Sequence, residues 1–161
     1  MKELALAVNP NSGKTSLFNI LTGSSQHVGN WPGVTVEKKS GLFRKNKEII
    51  IQDLPGIYSL SPYTSEEMVS RNYLLSGNAD AILDVVDATN LERNLYLSLQ
   101  LIETGIPVVL ALNMSDVVEK QGKWIDTTKL SYQLGVPVVA TSALKNTGID
   151  QVMRQALREI E

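Results

Sequence analysis

Five short runs dominated by apolar residues, at 4–8, 49–51, 81–86, 108–112 and 136–139, punctuate this chain. Between them lie segments whose apolar positions recur every three to four residues, at 16–21, 66–75, 91–103, 128–134 and 149–160. Runs that are apolar throughout suit strands buried on both faces, and the longer period suits helices lying on those faces. The alternation therefore predicts a parallel sheet between two helical layers. One stretch departs from it: 36–44 mixes apolar and polar residues and meets 49–51 across Lys45-Asn46-Lys47-Glu48, which reads as a hairpin with an antiparallel edge strand. The expected fold is three-layer α/β, with a six-stranded, mostly parallel sheet, one antiparallel edge strand and helices on both faces. With no linker, repeat or low-complexity stretch, 1–161 reads as a single domain.

Composition narrows the chemistry. Fifteen Lys and Arg against seventeen Asp and Glu give a net charge of −2, so no basic surface points to nucleic acid or anionic lipid. There are no cysteines and a single histidine, His27, which rules out disulfides, thiolate metal sites and His-rich transition-metal sites. The chain opens directly on a strand-like run and its longest apolar runs are strand-length, so a soluble chain is expected.

In an open α/β sheet the informative residues follow the carboxyl ends of the strands. After the first strand comes Val8-Asn9-Pro10-Asn11-Ser12-Gly13-Lys14-Thr15-Ser16. This is a phosphate-binding loop of the G-x-x-x-x-G-K-[ST] type in all but one position. Its backbone N–H groups are expected to wrap phosphates, Lys14 to reach the β- and γ-oxygens and the Thr15 hydroxyl to ligate Mg²⁺. Val8 stands where the pattern has its first glycine, and a β-branched residue there would be strained if the loop demanded a positive φ. After 49–51 comes Asp53-Leu54-Pro55-Gly56, where the carboxylate can hold Mg²⁺ through water and the Gly56 N–H can meet a γ-phosphate. After 108–112 comes Asn113-Met114-Ser115-Asp116. The Asp116 carboxylate can accept hydrogen bonds from guanine N1–H and the 2-amino group, which adenine lacks. Asn113 is expected mainly to tie neighbouring loops together, and Met114 to cover the base. After 136–139 comes Thr141-Ser142-Ala143-Leu144, whose backbone N–H groups, at Ser142, Ala143 and Leu144, can approach guanine O6. The segment Gly29-Asn30-Trp31-Pro32-Gly33-Val34-Thr35-Val36-Glu37 reads as a mobile loop. There Gly33 and Val34 would border the nucleotide, Thr35 would offer Mg²⁺ a second hydroxyl, and Trp31 would act as a lid. Glu66 and Glu67 follow Ser65 as first-turn carboxylates behind an N-cap, rather than as general bases.

These motifs, in this order, resemble the small GTPases of the Ras-like, translation-factor-related superfamily. The match is closer with one family: Asn9 to Thr15, Val28 to Glu37, Asp53-Leu54-Pro55-Gly56-Ile57-Tyr58-Ser59-Leu60 and Asp87-Ala88-Thr89-Asn90-Leu91-Glu92-Arg93-Asn94-Leu95 resemble the cytosolic G domain of the bacterial ferrous iron transporter (FeoB) family. The resemblance covers essentially the whole chain. It implies a P-loop G domain that hydrolyses GTP to GDP with Mg²⁺, continued in the full protein by a helical regulatory subdomain and a transmembrane iron-transport domain in the bacterial inner membrane. This chain would then be a fragment on the cytoplasmic face. Ile57 stands where Ras-like enzymes place a water-orienting glutamine, and GTPases of similar pattern use an asparagine at the position of Asn11 to hold K⁺ against the phosphates. The catalytic set so implied is Asn11, Lys14, Thr35 and Gly56. Two other readings stay open: a nucleotide-binding switch module whose hydrolysis is impaired by Val8, and a stand-alone GTPase of the ribosome-assembly or tRNA-modification type, which would call for an RNA-binding domain or a basic surface.

Overall fold

The computed structural model describes residues 1–10 and 12–161. Seven strands form one sheet: β1 (Lys2–Val8), β2 (Gln26–Asn30), β3 (Glu37–Phe43), β4 (Asn46–Asp53), β5 (Ala81–Asp87), β6 (Val108–Asn113) and β7 (Val138–Ala140). Their order is β2-β3-β4-β1-β5-β6-β7. β4, β1, β5, β6 and β7 run parallel, while β3 is antiparallel to both β2 and β4. The six-stranded expectation is thus corrected to seven among the described residues, and the one antiparallel strand, β3, lies inside the sheet, with β2, which runs in the same direction as β4, at the edge. β2 escapes an apolar-pattern reading because Gln26-His27-Val28-Gly29-Asn30 offers one large apolar residue and faces solvent almost throughout. Backbone pairing with β3, from Gln26↔Gly41 to Asn30↔Glu37, is what places it in the sheet.

The helices are α1 (Lys14–Thr22), α2 (Ser65–Leu75), α3 (Leu91–Glu103), α4 (Ser115–Lys120), α5 (Thr127–Leu134) and α6 (Ile149–Ile160). α4, only six residues long, carries too few turns for a periodic signal. The seventh strand starts at Val138 rather than 136, and the β3–β4 hairpin turns at Arg44-Lys45, so its strands reach closer to each other than expected.

Alternation within β1 shows why the sheet needs both layers. Leu4, Leu6 and Val8 join α1 residues Leu17, Phe18 and Leu21 and α6 residues Val152, Met153 and Ala156 in one core. Ala5 and Ala7 face the other side, where Tyr73 and Leu74 of α2 and Leu97 and Leu101 of α3 pack. Central β1 is flanked by β4 on one side and β5 on the other, so chain direction across the sheet diverges at its carboxyl end and opens a crevice there.

Candidate functional site

The crevice is built first by the turn from β1 into α1. Ser12 donates from Oγ to the Asn9 carbonyl at 2.6 Å, curling the loop back on itself. Gly13 sits at φ +90°, and a Cβ there would collide with the Asn113 amide, so both conformation and space demand glycine. α1 then begins at Lys14 with no side-chain cap and no acidic residue in its first turn, which leaves the positive end of the helix directed at the crevice. Asn11 lies outside the described residues. Val8 corrects the concern raised by the sequence: it is a strand residue in register with Val85, buried in the core, and its carbonyl accepts from the Ile57 N–H at 3.0 Å. Positive φ at non-glycine positions occurs, among the described residues, at Met114 and Asn146. The missing glycine imposes no left-handed strain.

A cleft of about 390 Å³ is lined by Asn9, Pro10, Gly13, Lys14, Thr15 and Gly56. A second cleft, about 190 Å³, joins Lys14 and Thr15 to Asp53, Val36, Glu37 and Lys39. Lys14 Nζ donates to the Leu54 carbonyl at 2.8 Å and lies 3.2 Å from Asp53 Oδ1. The lysine thus bonds the carbonyl and pairs ionically with Asp53. Burial pushes the Asp53 carboxyl above the usual carboxylate range, with Lys14 pulling the other way, and apart from that ammonium Oδ1 has no donor among the described residues. Backbone bonds from Leu54 N–H to Leu6 (3.1 Å) and from Ile57 N–H to Val8 (3.0 Å) pin the D-x-x-G loop against β1. A Cβ on Gly56 would press on Pro10 at 3.3 Å, so glycine lets the two loops touch.

Asn113 is the hub of the opposite wall. Its Nδ2 donates to the Ser12 carbonyl at 2.9 Å, while Oδ1 accepts from Thr141 Oγ1 at 3.2 Å and from Ala143 N–H at 3.0 Å. One buried side chain therefore binds the phosphate loop, the end of β6 and the turn after β7 together. Met114 turns the chain at φ +64° and Asp116 sits half-buried in the first turn of α4. The turn after β7 differs in detail from expectation: Ser142 N–H is committed to the Thr147 carbonyl at 3.0 Å and Ala143 N–H to Asn113. Ser142 is buried, whereas Leu144 is exposed.

The segment expected to be a loop between α1 and the edge strand is a hairpin tip joining β2 to β3. Trp31 N–H donates to the Val36 carbonyl at 3.0 Å, Val34 N–H to the Trp31 carbonyl at 3.3 Å, and Gly33 supplies φ +76° at the bend. Trp31 is no lid. It is 9% exposed and packs edge-on against Tyr73 of α2 at 5.7 Å, with Lys38 Nζ 4.7 Å from its ring centre. Thr35 is exposed at the tip, and the cleft wall nearest it is formed by Val36 and Glu37, so Thr35 is not brought beside Thr15 and Asp53 here.

The N-cap of α2 is Thr64 rather than Ser65. Its Oγ1 accepts from Glu67 N–H at 3.1 Å and donates to Glu67 Oε1 at 3.0 Å, an N-cap that accounts for Glu67 as a helix-start residue. The hydroxyls of Ser61 and Ser59 also donate to Glu67 and hold its carboxyl below the usual range. Tyr73, Lys38 and Gln100, which hold the two loops from neighbouring elements, carried no motif by which the sequence could mark them.

The family model described as "Ferrous iron transport protein B" matches residues 2–156. Among curated relatives, the Fe(2+) transporter FeoB of Salmonella typhimurium is 52% identical over 157 residues, covering 93% of this chain and 20% of its own length. That of Escherichia coli K12 gives the same figures. The chain thus spans about a fifth of these relatives. Among solved structures, S. thermophilus NFeoB carrying N11A and bound to mGDP superposes with a TM-score of 0.95 at 72% identity, covering 97% of this chain and 60% of that one. S. thermophilus NFeoB bound to GDP.AlF4- and K+ gives 0.88 at 72%, covering 98% and 62%. The E66A form bound to GMPPNP gives 0.89 at 70%, covering 99% and 62%.

Proposed function

We propose, from the premise that this chain belongs to the ferrous iron transport protein B (FeoB) family and has its G-domain fold, that it binds GTP and GDP, hydrolyses GTP to GDP, and serves as the regulatory G domain of a ferrous iron transporter. The observation that carries the reading is Asn113, which joins the phosphate loop to both candidate base-recognition segments through three hydrogen bonds. Guanine nucleotides and K⁺ in the S. thermophilus NFeoB structures support it.

In this reading Asp116 accepts from guanine N1–H and the 2-amino group, a pair of charge-assisted bonds worth roughly 1.5–3 kcal/mol each. Adenine would leave the carboxylate desolvated and unpaired. Leu144, Ala143 and Ser142 form the turn beside O6, where the N–H of Leu144 is the donor not committed to Asn113 or Thr147. Asn9 to Ser16 cradle the phosphates. Lys14 exchanges the Leu54 carbonyl and Asp53 for the β- and γ-oxygens. Asp53, stripped of that cation, needs another. A buried carboxylate oxygen without a hydrogen-bond donor, sharing a cleft with the Thr15 hydroxyl, is a hard-oxygen set that fits Mg²⁺. Thr15 directly, Asp53 through water and Thr35 once its loop closes would hold it. When bound, Mg²⁺ neutralises charge on the β- and γ-phosphates. Gly56 N–H meets the γ-phosphate, Gly33 and Val34 border it, and Asn11 holds K⁺ where an arginine finger would otherwise supply charge.

Among the described residues no helix is long and apolar enough to cross a membrane. The membrane passage, a helical regulatory subdomain and the cytoplasmic placement of this domain belong to the full-length protein in this proposal. The test is GTP hydrolysis by the chain in K⁺ and in Na⁺, with and without Mg²⁺. Hydrolysis that requires Mg²⁺ and is faster in K⁺ is expected, and Asn11→Ala should remove the difference between the salts. Equal rates in both salts would remove the cation site.

A further inference from the structure

Ile57 occupies the position from which a glutamine could orient the attacking water, yet its side chain is aliphatic and buried beside Leu54. The contribution of this loop at the γ-phosphate then comes from the Gly56 backbone, and its precision depends on what holds that backbone. In this structure every residue from Ile57 to Ser61 is held. Ile57 N–H bonds the Val8 carbonyl, the Tyr58 ring lies under the Arg93 guanidinium at 4.4 Å, Ser59 and Ser61 donate to Glu67, and Leu60 N–H donates to Gln100 Oε1 at 2.9 Å. Four of these ties run to side chains of α2 and α3. Among them Gln100, half-buried on α3 and 40 positions along the chain from Leu60, grips the Leu60 backbone directly.

We propose that Gln100 is a positioning residue for GTP hydrolysis, an inference that rests on the GTPase reading above. By accepting the Leu60 N–H it fixes the chain that leaves Gly56, adding a hold on α3 four residues beyond the glycine to the Leu54 and Ile57 bonds to β1 that flank it, so that Gly56 meets the γ-phosphate without a search. Arg93 assists from the same helix by seating Tyr58. The loop is held at both ends before nucleotide arrives, in contrast to the hairpin tip carrying Thr35, which must move.

The test compares the wild type with Gln100→Leu, which keeps size and loses the acceptor, and Gln100→Glu, which keeps an acceptor for the same N–H. Loss of one net hydrogen bond predicts about a five-fold slower single-turnover hydrolysis in Gln100→Leu, with GDP affinity within about two-fold of wild type. Gln100→Glu should recover most of the rate. Amide hydrogen exchange read in the same proteins should show protection of Leu60 lost in Gln100→Leu and kept in Gln100→Glu. A wild-type rate in Gln100→Leu, equal slowing in both variants, or a parallel loss of GDP affinity would overturn the assignment, and so would unchanged protection at Leu60. A wild type that hydrolyses no GTP would instead overturn the GTPase reading, and the exchange measurement would still decide whether Gln100 holds the loop.

Discussion

Val8 illustrates how one residue's conformation reverses an argument made from its type. A glycine pattern broken by valine suggests strain, but the position is the last residue of β1, extended, paired with Val85 and packed among Leu6, Leu17 and Phe18. Valine is well suited to a buried strand. Val8→Gly therefore removes a buried side chain and adds backbone freedom, which together should cost about 2–3 kcal/mol of stability. Denaturant unfolding would read this, with GDP affinity at saturating stability unchanged; a gain in affinity would show that the phosphate loop is strained after all. Asp84 is a second residue whose surroundings matter more than its type. It lies fully buried on β5 with, among the described residues, only the Ser98 hydroxyl donating to it, and burial pushes its carboxyl up to about 7. Between its unfolded value of 3.8 and about 7 the folded protein holds more protons than the unfolded chain. Stability contributed by this group is thus full below pH 3.8 and falls as pH rises through about 7. Thermal unfolding across that window should show the decline, and Asp84→Asn should flatten it.

At the scale of elements, apolar pattern disclosed what is held by side-chain burial and missed what is held by backbone or by isolated contacts. β1, β5 and β6 are buried on both faces and were legible as apolar runs, broken in β5 only by Asp84. β2 was not, because its side chains are exposed and its place is set by pairing with β3. The same hairpin hid the seat of Trp31, since a tryptophan beside Pro32 and Gly33 looks like a loop residue until Tyr73 and Lys38 are seen around it. For Thr35 to reach Thr15 and Asp53, the tip held by the Trp31 and Val36 backbones has to open, and Trp31 is drawn with it. Trp124 is 81% exposed and would mask the signal, so the measurement uses Trp124→Phe. GMPPNP with Mg²⁺ should shift Trp31 emission to the red, while GDP leaves it unchanged. Identical spectra with both nucleotides would mean that the tip closes without unseating Trp31.

For the whole molecule, the site was legible because its parts follow strand ends, and the fold brings strand ends together at one edge of the sheet. Asn9 to Ser16, Asp53 to Gly56, Asn113 to Asp116 and Thr141 to Leu144 are far apart in the chain, yet Asn113 alone spans three of these segments. What the order of motifs could not disclose is which donors the fold had already spent: Ser142 and Ala143 N–H groups are used internally, and Lys14 is parked on Leu54 and Asp53. Those commitments arise from packing between elements and leave no local trace. In the proposed reading base choice then rests on Asp116. The most direct test of a guanine-nucleotide site is therefore a titration of the chain with GDP, GTP and ATP, repeated with Asp116→Ala. GDP and GTP should bind, ATP should fail to displace GDP at a hundred-fold excess, estimated from the two charge-assisted bonds that adenine cannot make, and Asp116→Ala should weaken both guanine nucleotides by roughly ten-fold or more. Displacement of GDP by ATP at equal concentration, or unaltered GDP affinity in Asp116→Ala, would contradict the assignment.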